Sequence, residues 1–216
     1  MWEINDFNKW NDEGRPIDEN VIELNIGYSN IEILGNLENL ANLNTLCCHS
    51  NKLISLEGIE KLTNLTHLYC NNNKLTSLEG IENLINLKEL YCFNNQLTSL
   101  EGIENLVNLK YLSCKNNFLT SLEEIENLNN LTYLYCSDNQ LTSLEGIEKL
   151  IKLIKNKNNI VYYVFINFID SNDYIELKDL FDNFLKYKND NENNKYIEEI
   201  EKMIIKLNGF QNYVLK

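Results

Sequence analysis

Apolar residues recur through the middle of this chain in one fixed arrangement, and the arrangement returns every 22 residues. Residues 65–86 read LTHLYCNNNKLTSLEGIENLIN and residues 87–108 read LKELYCFNNQLTSLEGIENLVN, with the same apolar, Asn and Glu positions. Carrying that offset along the chain finds clear copies at 43–64, 109–130 and 131–152 and a degenerate first copy at 21–42. Six units result, and a period of this length is the signature of a stacked array. Within a unit, Leu65, Leu68 and Cys70 alternate around Tyr69 as the inward and outward positions of a short strand do. The apolar period then changes to three at Leu75, Leu78, Ile81 and Leu84. That spacing predicts a tight, 3₁₀-like return path, opened by the turn-forming sequence Thr-Ser-Leu-Glu-Gly. One such coil cannot stand alone. Burying about seven apolar side chains at roughly 2 kcal/mol each does not offset an ordering cost of about 1.5 kcal/mol per residue. The coils must therefore lean on one another.

The shared pattern, L-x-x-L-x-C-x-x-N-x-L-T-S-L-E-G-I-E-x-L-x-N, resembles the leucine-rich repeat consensus. It looks most like the short 22-residue class of bacterial internalins, of a protein-phosphatase regulatory subunit and of giant-virus repeat proteins. The resemblance implies an α/β fold: a right-handed solenoid with a concave parallel sheet and 3₁₀-like convex segments. It also implies a non-catalytic protein-interaction module. The expected organisation is an N-terminal cap over residues 1–20, six repeats over 21–152, and a truncated last coil with a helical C-terminal cap over 153–216.

Two columns of polar residues invite chemistry and have plainer readings. Cys48, Cys70, Cys92, Cys114 and Cys136 share the inward strand position, where a thiol behaves as a small hydrophobe. A linear row at strand spacing suits neither disulfides nor a tetrahedral thiolate cage, so no metal or cofactor is expected. Asn51, Asn73, Asn95, Asn117 and Asn139 follow three residues later, and an amide there can satisfy backbone groups where the strand turns inward. Ser29 takes that place in the first unit. Asn36 and Glu124 stand where Gly58, Gly80, Gly102 and Gly146 stand elsewhere, and Glu124 suggests that the position does not strictly demand positive φ.

The variable, outward positions carry the partner-binding expectation. One column runs Cys47, Tyr69, Tyr91, Ser113, Tyr135; two residues earlier run Thr45, His67, Glu89, Tyr111, Tyr133; beyond the cysteines stand His49, Asn71, Phe93, Lys115 and Ser137, then Ser50, Asn72, Asn94, Asn116 and Asp138. From these, His67, Tyr69, Tyr91, Phe93, Tyr111, Lys115, Tyr133, Tyr135 and Asp138 form the candidate partner-binding set. Aromatic residues suit strands in any case, yet exposed clusters of them are also the usual material of binding hot spots. Six strands give a face about 25 Å wide, enough for a helix, a peptide or a small domain edge. Replacing Tyr91, Tyr111 and Tyr135 by Ala is expected to abolish partner capture without altering thermal stability.

Charge and the chain ends narrow the classes further. A formal net charge of −13 repels phosphate backbones and anionic lipid, so neither nucleic acid nor membrane is expected as a partner. Paired glutamates, from Glu57 and Glu60 to Glu145 and Glu148, predict an acidic, solvated stripe on the return side. Residues 1–20 lack a basic stretch followed by an apolar run, so an intracellular, reducing location and a monomer are expected. Trp2, Phe7 and Trp10 can close the first coil. Leu177, Leu180, Phe181, Phe184 and Leu185, then Ile197, Ile200, Met203, Ile204 and Leu207, fall at helical spacing; an assembly role through these terminal segments is the alternative to binding on the sheet face. Cys47 with His49 or His67 is the nearest approach to a nucleophile and base, without an orienting third group.

Overall fold

The computed structural model describes residues 1–136 and 138–141. The expected last coil, the helical patterns over 174–188 and 197–207, Ser137, and the return segment with Glu145, Gly146 and Glu148 lie outside the described residues. Six three-residue strands form one parallel sheet in chain order: β1 (Glu23–Asn25), β2 (Thr45–Cys47), β3 (His67–Tyr69), β4 (Glu89–Tyr91), β5 (Tyr111–Ser113) and β6 (Tyr133–Tyr135). Neighbours pair at identical repeat positions, Leu24 with Leu46, then Leu68, Leu90, Leu112 and Leu134. The chain is thus a solenoid of stacked coils, with the strands on one side and the return segments on the other.

The central leucine of each strand is at most 1% exposed, as are Ile26 and the five cysteines that follow the strands. Cys48, Cys70, Cys92 and Cys114 each donate a backbone N–H to the next coil at 2.8–2.9 Å, which extends the ladder one residue past each strand. The thiols of Cys70 and Cys92 donate to the carbonyls of Tyr91 and Ser113, both at 3.4 Å. All six cysteines are free. At the entry of β2 to β6 two successive N–H groups share one carbonyl of the preceding coil: Lys110 and Tyr111 both donate to Lys88 O, at 2.8 and 3.0 Å. This kink turns two successive side chains, rather than one, away from the core.

Asn amides join the coils at two levels. Asn95 Nδ2 donates to Cys92 O in its own coil at 3.0 Å and to Cys70 O in the preceding one at 3.1 Å, while its Oδ1 accepts from Leu75 N at 3.0 Å. Asn73, Asn117 and Asn139 repeat the same three bonds. Ser29 has no preceding coil to join, and its hydroxyl turns instead to Gly27 O. A second set, not anticipated from the sequence, closes the units: Asn64, Asn86, Asn108 and Asn130 each donate to a carbonyl of the coil before, and Asn42 donates to Glu19 O of the N-terminal segment.

The return segments run on i→i+3 bonds, such as Leu62 N to Ile59 O at 2.9 Å and Leu65 N to Leu62 O at 2.8 Å. Gly58, Gly80 and Gly102 enter them at φ of +101° to +104°, outside the range a side chain tolerates. Their N–H groups donate to Glu60, Glu82 and Glu104, so one of the two acidic columns caps backbone rather than merely facing water. As Glu124 suggests, the position does not strictly demand positive φ. The glycine-bearing units do use positive φ, whereas the unit with Glu124 changes its backbone to a 3₁₀ turn, Glu123–Ile125.

At the N-terminus, α1 (Ile4–Asp12) buries Phe7 and Trp10, which join the same apolar core as Val21 and Leu24. Trp2 pairs with Leu24 as an isolated parallel bridge, covering the open side of β1. Arg15 lies over the rings of Phe7 and Trp10 and donates to Leu34 O at 2.9 Å and Asn36 O at 2.6 Å, tying the helix to the first return segment.

Candidate binding surface

With each central leucine turned inward, the residues on either side of it face outward, and both outward columns fall in register across all six strands. The structure brings the candidate aromatic residues into one unbroken run. Centroids of Tyr69 and Tyr91 lie 5.0 Å apart, Tyr91 and Tyr111 stack at 4.8 Å, and Tyr111 meets Tyr133 at 5.3 Å and Tyr135 at 5.5 Å. His67 stacks on Tyr69 at 6.4 Å and Phe93 meets Tyr91 edge-on at 6.5 Å, so the run is widened on both flanks. Lys115 and Asp138 pair at 3.6 Å beside it.

The rings are half-buried by one another, with Tyr133 the most open at 36%. Mutual burial has an electrostatic consequence, because a phenolate is poorly solvated there. Burial, the Glu89 charge and the hydrogen bond that the Tyr69 hydroxyl donates to Glu89 at 3.1 Å push Tyr69 up to about 12. The Tyr111 hydroxyl, then burial, push Tyr135 up to about 12. Burial raises Tyr91 and Tyr111 as well. These rings stay neutral, and the patch presents apolar faces with hydroxyl edges. The stacking also corrects the expectation that alanine at Tyr91, Tyr111 and Tyr135 leaves stability untouched. Each stacked pair is worth about 0.5–1.5 kcal/mol beyond its buried area.

Three features of the surface were not picked out from the sequence. Tyr28, Ser50, Asn72, Asn94, Asn116 and Asp138 all take φ of +53° to +56°, the left-handed turn in which the chain leaves the sheet. Asn and Asp tolerate that conformation best. Their amides link up, Asn94 donating to Asn72 at 2.6 Å and Asn116 to Asn94 at 2.8 Å, and form a polar rail along one edge of the aromatic run. Glu89 sits inside the run, 3.8 Å from His67 Nε2 as well as on Tyr69. Lys88 and Lys110, on adjoining coils at the strand entry, are exposed and make no ion pair among the described residues. Lys88 also borders a groove of about 710 Å³ with Asn44, Asn64, Thr66, Asn86 and Asn108.

Nothing in this geometry activates Cys47. Burial, with Glu23 and Glu3 nearby, raises its thiol, the opposite of what a nucleophilic cysteine needs. His49 packs edge-on against Tyr28 at 5.1 Å. Among the described residues no group of three or more His, Cys, Asp or Glu is placed to hold a metal ion, and no helix is long and apolar enough to cross a membrane.

A solenoid of 22-residue coils with one strand each, an inward Leu-x-Cys and an inward Asn defines a leucine-rich repeat protein. The family model "Leucine Rich repeats (2 copies)" matches residues 41–83, 63–105, 85–129 and 107–152, and the chain belongs to that family. Among solved structures, an internalin (inlF) of Listeria monocytogenes is similar at 26% identity and a TM-score of 0.62, covering 70% of this chain and 44% of its own. Internalin C2 of the same species is similar at 26% identity and 0.63, covering 80% and 72%. A leucine-rich repeat protein of Leptospira interrogans is similar at 28% and 0.63, covering 73% and 46%. The chain therefore spans less than half the length of two of these three. A search of curated proteins returns no match. Leucine-rich repeat proteins generally bind protein partners and typically act as non-catalytic interaction modules.

Proposed function

We propose that this chain holds a protein partner on the outward face of its sheet, over coils three to six. The candidate contact set is His67, Tyr69, Tyr91, Phe93, Tyr111, Lys115, Tyr133, Tyr135 and Asp138, with Glu89 among them. One observation carries the reading: ring contacts of 4.8–5.5 Å run without a gap from Tyr69 to Tyr135 on a framework whose inward positions barely vary. The inward positions are fixed by packing, so the outward ones are where a sequence can write a preference. An aromatic patch rimmed by polar side chains has the composition of a binding hot spot. Five buried free thiols suit a reducing, intracellular setting for that encounter.

The test is capture by the full chain and by a Y91A/Y111A/Y135A variant, with hydrogen exchange read on the wild-type complex. Loss of capture by the variant, and protection confined to 67–69, 89–93, 111–116 and 133–138, is the expected result. The variant should still melt cooperatively, several degrees lower because five ring contacts are lost. Undiminished capture by a folded variant overturns the reading.

A further inference from the structure

The dimensions of the aromatic run select the shape of what lies on it. We propose that the occupant is an amphipathic α-helix of the partner, laid along the stack of coils across the strands, with an apolar stripe on the tyrosines and carboxylates toward Lys88 and Lys110. This rests on the reading of the sheet face as the binding surface and adds the partner's conformation and charge.

Spacing is the first argument. Ring centroids advance by 5.0 Å from Tyr69 to Tyr91, 4.8 Å to Tyr111 and 5.3 Å to Tyr133. A helix brings a side chain to one face about every 5.4 Å, so over these three steps it drifts by only about 1 Å. An extended chain repeats its same-face side chains every ~6.7 Å and slips by about a whole ring over the same span. About three helical turns cover the run.

Backbone chemistry is the second. The strand N–H and C=O groups are paired with each other in the ladder, and the face offers ring surface with a few hydroxyls. An extended segment pressed on that surface buries its own amides without partners, at about 1–3 kcal/mol for each group left unpaired. A helix brings its backbone bonds with it and needs only side-chain contact.

Charge is the third. In a chain of net −13, Lys88 and Lys110 stand exposed on adjoining coils, with Lys88 O accepting from the backbone of Lys110 at 2.8 Å. Two like charges so placed, without an ion-pair partner among the described residues, repel each other. A carboxylate presented from the partner relieves that repulsion. The opposite edge is the neutral amide rail of Asn72, Asn94 and Asn116. The face therefore fixes which side of the helix is acidic.

The full chain serves as bait for two displayed libraries mixed in equal number, one a helical scaffold with a randomised face and one of linear peptides. Clones that also bind a Y91A/Y111A variant are discarded. The expected survivors are helices with apolar residues at i, i+3 or i+4, and i+7 and with Glu or Asp along one flank. Proline at the centre of a survivor should weaken it at least about tenfold, and the K88E/K110E bait should prefer Lys or Arg flanks by roughly tenfold. Survivors that are mainly linear peptides, indifference to proline, or unchanged flank preference on the charge-reversed bait each overturn the helix. So does the absence of any tyrosine-dependent clone. None of these results touches the wider reading, which falls only if capture of the natural partner survives loss of the tyrosines.

Discussion

At the scale of single residues, the stack is held by side chains that serve two coils at once. Asn95 is buried at 8% exposure, and each of its polar atoms is committed, to Cys70 O, Cys92 O and Leu75 N. Asn95→Ala removes all three bonds, leaves the Leu75 N–H dry, and leaves Cys70 O and Cys92 O with only the amides of Asn73 and Asn117. We expect it to destabilise the chain by about 3 kcal/mol or more in urea unfolding. Asn95→Asp should fare no better, since it keeps the acceptor and turns a negative oxygen on two carbonyls. A loss below about 1 kcal/mol for Asn95→Ala would show that water replaces the amide. Gly58 makes a second residue-scale case. A Cβ there would sit 2.0 Å from Gly35 O, whereas at Gly80 the nearest atom is 3.5 Å away, with φ +104° and +101° respectively. Both alanine variants carry the backbone strain, but Gly58→Ala must also move the first return segment. Its unfolding midpoint should fall clearly further than that of Gly80→Ala, and equal shifts would place the whole cost in φ.

At the scale of one coil, the fifth unit shows what happens when the pattern is broken. Glu124 replaces the glycine, the backbone tightens to the 3₁₀ turn Glu123–Ile125, and Glu124 Oε2 is buried without a hydrogen-bond partner. Its other oxygen accepts only a 3.3 Å bond from Leu100 N. Glu124→Gly frees the unit to take the conformation of its neighbours, with Glu126 in the place from which Glu60, Glu82 and Glu104 cap the glycine N–H. Relief of the dry carboxylate oxygen outweighs the added freedom of the unfolded chain, and the net gain should be about 1 kcal/mol in denaturant unfolding. A loss of stability would mean that the 3₁₀ turn is the preferred form. This coil also marks the boundary of what the sequence discloses. The 22-residue period, the inward Leu and Cys, the inward Asn and the aromatic columns are legible because each is set by alternation or spacing within one unit. The glycine φ, the Glu60 cap and the left-handed Asn72, Asn94 and Asn116 depend on local backbone geometry that several residue types accept. The Asn64 and Asn86 bonds and the exposed pairing of Lys88 with Lys110 depend on which residues of adjoining coils meet, and nothing inside one unit records that.

Over the whole molecule, repetition multiplies a small side-chain property into a bulk one. Five thiols lie fully buried in a row, and burial raises every one of them: Cys70 and Cys136 to about 12, Cys48, Cys92 and Cys114 well above the usual thiol range. In the unfolded chain the same thiols ionise near pH 9. Below that pH both states keep their protons and the contribution is fully present. Between about pH 9 and 12 the unfolded chain binds fewer protons than the folded one, so unfolding stability falls as pH rises. Each retained thiol steepens the fall toward a limit of about 1.4 kcal/mol per pH unit, and Tyr69 and Tyr135 add to it only above about pH 10. Urea unfolding between pH 8 and 10.5 should therefore show a steep alkaline decline. A C70V/C92V/C114V variant isolates the cause, because valine fills the inward position without a proton to lose, and it should decline with a visibly shallower slope. Equal slopes would transfer the effect to the tyrosines or lysines, and would mean that the solenoid opens at the thiols well before it unfolds.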